Sequence, residues 1–172
     1  MPKTRDENMG ELRPEKLRVL ILGVGNLLLG DEGVGVHAVR KLEEEHAFPP
    51  EVRLLDGGTL GLRLMECMEE CDFLLVLDAV RGGQSPGTLY RLEGEALRSS
   101  LGKAESIHQV DLADTLILCE LSGKRPHTVV LGLEPENITD ARPELSPALE
   151  TALPKMCAAA VEEMRRLGLG PL

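Results

Sequence analysis

Val19-Leu20-Ile21-Leu22-Gly23-Val24-Gly25-Asn26-Leu27-Leu28-Leu29-Gly30-Asp31-Glu32-Gly33-Val34-Gly35 opens as a short apolar, β-branched run and ends among glycines and two adjacent acids. The run reads as a strand buried on both faces, about Arg18–Leu22. Glycines at 23, 25, 30, 33 and 35 let backbone approach backbone or ligand where a Cβ would collide. Helical spacing follows, predicting a helix over Gly33–His46 that Pro49-Pro50 closes. An acidic pair in such a setting points to a cationic visitor.

Working outward, strands are expected at Val52–Leu55, Phe73–Leu77, Thr88–Leu92 (an edge strand) and Thr128–Leu133. Helices are expected at about Leu60–Glu70, Val110–Leu121 and Ala148–Leu167, with loops at Arg81–Gly87 and Ser99–Ser106 and an irregular connection over Glu134–Pro147. Strands alternating with helices imply a three-layer α/β domain with a mostly parallel sheet. Residues 1–16 are expected to be a flexible polar tail, and residues 17–172 a single domain.

The bulk composition narrows the classes of partner. With 172 residues, 42% hydrophobic and 28% charged, the chain has enough apolar mass for a real core. A net charge of −10 argues against nucleic acid and anionic membranes, which need clustered Lys and Arg. The amino-terminal residues lack an apolar signal core, and no apolar run approaches membrane-span length, so a cytoplasmic location is expected. The four cysteines, at 67, 71, 119 and 157, lack CxxC spacing and read as reduced, buried thiols.

In an open parallel sheet, sites gather beyond the carboxyl ends of the strands. The first strand leads to Asp31 and Glu32, the second to Asp56 and the third to Asp78, and His108 stands near the head of a helix after a loop. Carboxylates with one imidazole make a mixed oxygen and nitrogen donor set suited to nickel or zinc. Asp31 has an alternative as the cap of the first helix, and Asp56 as a plain turn residue. Asp78 ends the most apolar strand, where an unpaired carboxylate would be costly. His37, His46 and His127 lack acidic company and read as structural or solvated. A dinucleotide fingerprint fails: Leu28 stands where Gly or Ala is wanted, and Asp56 lies too far along.

Gly23-Val-Gly-Asn-Leu-Leu-Leu-Gly-Asp-Glu-Gly-Val-Gly, Asp56-Gly-Gly-Thr, Leu77-Asp78-Ala79-Val80 and Ser106-Ile-His108-Gln109 together resemble the hydrogenase maturation proteases in order and spacing. The similarity covers about residues 18–165, and Ile107 replaces the proline that some relatives carry. The resemblance implies a five-stranded sheet between helices and metal ligation by Glu32, Asp78 and His108. It also implies a metal-dependent, aspartic-type endopeptidase that removes the carboxy-terminal extension of a nickel–iron hydrogenase large-subunit precursor after nickel insertion. Nickel is then part of the substrate, Glu32 and Asp78 serve catalysis, and Asp56 is the candidate for assisting water or orienting a ligand. A monomer is expected. The alternative from a binding class is a nickel-dependent checkpoint that grips the precursor without cutting it.

Overall fold

The computed structural model describes residues 16–58, 64–103 and 107–172, with side chains in the last span described from Leu112 onward. Among these residues five strands, β1 (Val19–Val24), β2 (Val52–Gly58), β3 (Phe73–Ala79), β4 (Leu89–Glu93) and β5 (His127–Leu133), form one sheet in the order β2-β1-β3-β5-β4. The first three neighbouring pairs are parallel, and β4 runs antiparallel to β5 at the edge. Among the described residues five helices, α1 (Val34–Glu45), α2 (Leu64–Glu69), α3 (Gly94–Leu101), α4 (Ile107–Leu121) and α5 (Pro147–Arg166), cover the two faces.

The period of two in β1 and β3 builds two separate cores. Val19, Ile21, Leu75 and Leu77 point to one face and pack with Val34, Ala38 and Leu42 of α1 and Leu149, Met156 and Ala160 of α5. Leu20, Leu22, Leu74 and Val76 point to the other and pack with Leu64 and Met68 of α2, Leu97 of α3, and Leu112 and Leu116 of α4. Every residue of β1 and β3 is buried, which is why both read as continuous apolar runs. Burial of that kind stabilises by roughly 25 cal/mol per Å² of apolar surface.

The expected three-layer α/β class with a mostly parallel sheet is what the structure has. Several boundaries differ. Strand β2 runs on through Asp56 to Gly58, so Asp56 is a strand residue rather than part of a turn after it. Residues 94–101 form α3, where the sequence offers only Leu97 as a buried apolar anchor, and they replace the start of the expected loop. Helix α4 starts at Ile107, three residues earlier than its apolar spacing suggested. The predicted tail over residues 1–15, the first four residues of the helix expected at 60–70, and Ser106 lie outside the described residues. Lys16 is described and pairs with Glu51 at 2.6 Å. No helix among the described residues is long and apolar enough to cross a membrane.

Candidate functional site

The glycines of the first motif explain how the site is assembled. A Cβ on Gly23 would lie 2.4 Å from the Gly35 carbonyl oxygen, and one on Gly25 would lie 1.9 Å from that of Glu32. A Cβ on Gly35 would lie 2.0 Å from the carbonyl oxygen of Leu77. Bare backbone therefore lets the start of α1 sit against the ends of β1 and β3, directly beside Asp78. Between β1 and α1, residues Gly30–Gly33 form one 3-10 turn that carries Asp31 and Glu32.

Glu32 and Asp78 are both buried, at 8% and 2% exposure. Burial pushes the Glu32 carboxyl above its ordinary value, and the Arg81 guanidinium opposes that shift in part. The Asp78 Oδ1 accepts a hydrogen bond from the Ala79 N–H at 2.8 Å, which holds the carboxylate at the strand terminus. Buried carboxylates offer hard oxygen donors to a cation, because a positive charge relieves the cost of their ionised forms. His108 lies in the first turn of α4, on the sheet face toward which the alternation of β3 directs Asp78. The side chain of His108 lies outside the described residues. Among the described residues, no three His, Cys, Asp or Glu side chains close into a metal-holding group.

Asp56 takes the other face. It is in register with Gly23 of β1, which also faces Leu77 of β3, so a whole strand separates it from Asp78. Its Oδ2 accepts from Arg40 Nη2 at 2.8 Å and Nε at 3.2 Å, tying β2 to α1. His37 lies half-buried on α1 with its Nε2 enclosed and no hydrogen-bond partner among the described residues, and His127 meets Glu93 at 2.5 Å on the exposed sheet edge.

Asp31 does not cap α1, whose amino terminus has no side-chain cap. It accepts three backbone N–H bonds instead: Glu136 and Asn137 to Oδ2 at 2.9 and 3.2 Å, and Ser146 to Oδ1 at 2.7 Å. Glu134 is a further buried carboxylate, one to which the sequence analysis gives no role. Its Oε2 accepts from the Gly82 N–H at 2.7 Å and the Tyr90 hydroxyl at 2.6 Å, pinning the loop that follows Asp78. The only sequence signal for it was an acid placed directly after an apolar strand.

The family model for hydrogenase maturation proteases, HycI, matches residues 36–163. The chain belongs to the hydrogenase maturation protease family. Among its relatives, the hydrogenase expression/formation protein HupD of Rhodobacter capsulatus is 40% identical over 163 residues, spanning 94% of this chain and 77% of that protein. The hydrogenase 2 maturation protease of Escherichia coli K12 is 35% identical over 159 residues, spanning 87% of this chain and 97% of that protein. Of solved structures, the hydrogenase maturating endopeptidase HybD from E. coli matches with a TM-score of 0.86 at 33% identity, covering 91% of this chain and 97% of that one. The [NiFe] hydrogenase maturation protease HybD from Thermococcus kodakarensis matches with a TM-score of 0.71 at 30% identity, covering 85% and 98%. The family resemblance read from the four motifs is thus borne out, and so is the fold.

Proposed function

We propose that this family member is the endopeptidase that removes the carboxy-terminal extension of a nickel–iron hydrogenase large-subunit precursor once nickel is in place. What supports the reading is the burial of both Glu32 and Asp78, carried on elements that meet where Gly35 passes Leu77. Glu32, Asp78 and His108 are assigned as ligands that complete the coordination of the substrate's nickel, with precursor thiolates supplying the rest. Nickel bound in this way polarises a carbonyl or lowers the pKa of a water. The chain's own residues hold the ion against the scissile segment and keep the rim dry, so an unloaded precursor is left uncut. Asp56 is held by Arg40 on the α1 face and is assigned no direct contact with the nickel or the scissile bond.

The test is intact-mass measurement of a cognate large-subunit precursor incubated with the protein, with and without nickel loading. Loss of the carboxy-terminal peptide from the loaded precursor alone is expected. Complex formation without any mass change would overturn the endopeptidase reading in favour of a checkpoint.

A further inference from the structure

The turn that carries Glu32 also carries a buried carboxylate to which the reading above gives no part. Asp31 is 1% exposed, and its three backbone partners lie 105 to 115 residues further along the chain. The Gly30 N–H adds a bond of 2.6 Å to the Arg142 carbonyl. Four hydrogen bonds, three to the Asp31 carboxylate and one between backbone groups, therefore join one short turn to the beginning, the later part and the end of the segment between β5 and α5.

The turn needs that support. It is a four-residue 3-10 turn without a side-chain cap, and such short pieces have poor hydrogen-bond geometry of their own. With about three residues per turn, neighbouring side chains diverge by roughly 120°, so fixing the direction of Asp31 fixes that of Glu32. On the far side, the Glu32 carbonyl packs on Gly25, so the turn is held between β1 and the distant segment. We infer that Asp31 is a positioning residue of the site: by clasping residues 136–146 it aims Glu32 at the rim. The inference rests on the reading of Glu32 as a ligand of the substrate's nickel.

Asp31→Asn tests it, because asparagine keeps the shape but turns an NH2 toward the N–H of Ser146 or those of Glu136 and Asn137. Amide exchange at the affected partners should quicken about tenfold or more, since a buried donor loses its acceptor. At a temperature where the variant is folded, kcat for processing the nickel-loaded precursor should fall about 10- to 100-fold, with KM changed less than about threefold. Nickel ion alone, titrated calorimetrically, should bind about tenfold more weakly. Faster exchange with unchanged kcat and unchanged nickel affinity would reduce the clasp to a purely structural role. A raised KM at constant kcat would likewise overturn the inference, by making the segment a contact surface. Should the variant fail to fold, exchange in the unaltered chain decides: protection at Glu136, Asn137 and Ser146 comparable to that of the strands is expected, and loop-like exchange refutes the clasp. Failure of the unaltered chain to process the precursor would sink the proposed function, while the exchange arm would still test the clasp.

Discussion

Replacing Gly35 by alanine places a methyl carbon 2.0 Å from the Leu77 carbonyl oxygen and 2.5 Å from that of Val24. Both obstacles are backbone atoms of inner strands, so no flexible side chain can swing aside. Restoring a separation of even 3.0 Å needs a displacement of about 1 Å between α1 and the end of β3. Overpacking of this kind costs about 1–3 kcal/mol, against which alanine's helix preference returns at most about 1 kcal/mol. With the full return of about 1 kcal/mol, the net loss is up to about 2 kcal/mol, which corresponds to a melting temperature lower by up to roughly 8 °C in a domain of this size. The displacement falls between Glu32, three residues before Gly35, and Asp78, next to Leu77. Misplacement by about 1 Å can cost about 100-fold in rate, so processing should slow by about 10- to 100-fold. Thermal melts and precursor processing at 25 °C would be compared for G35A, the unaltered chain and G102A. A methyl on Gly102 meets only ordinary contacts, the nearest at 3.5 Å, and this variant should melt within about 2 °C of the unaltered chain. If G35A melts within about 1 °C of the unaltered chain and processes normally, the close-approach argument is wrong.

Glu32→Gln should abolish processing yet raise the melting temperature at pH 7. Burial lifts the Glu32 carboxyl above its ordinary 4.5, so the native chain holds that proton more tightly, and stability falls as pH rises from 4.5 through the raised value. The two chains should therefore melt together in stronger acid, and a lower melting temperature for the variant at pH 7 would refute the sign. His108→Ala should weaken nickel-ion affinity at least about tenfold by calorimetry, and unchanged affinity would remove His108 from the donor set. Iodoacetamide at pH 8 should alkylate Cys67 first, because burial pushes the Cys71 thiol up to about 12 and that of Cys157 up to about 11. Early labelling of either buried thiol, read by peptide mass, would contradict their placement.

The strands that carry the site were legible because buried parallel strands leave continuous apolar runs, as at Val19–Leu22 and Phe73–Leu77. Glu32 and Asp78 were legible because a carboxylate next to such a run or among glycines needs a reason to be there. The role of Asp31 was not: its partners are backbone amides more than 100 residues away, and an amide carries no residue-type signal. Helix α3 was hidden for a related cause, since its register rests on a single buried leucine. Asp56 looked like a companion of Asp78 because each follows an apolar strand. Strand alternation sends the two to opposite faces, a distinction that depends on where β2 ends.

The span of 115 residues between Asp31 and Ser146 bears on biosynthesis. The acid pair is among the first parts of the domain to leave the ribosome, yet its frame comes from nearly the last. A nascent chain stalled before residue 136 carries Glu32 on an unanchored turn, and closing so wide a loop is slow relative to local folding. On the proposed role of Glu32, proteolytic competence would come only with completion of the domain, and a partly made molecule would hold its acids without the geometry to use them.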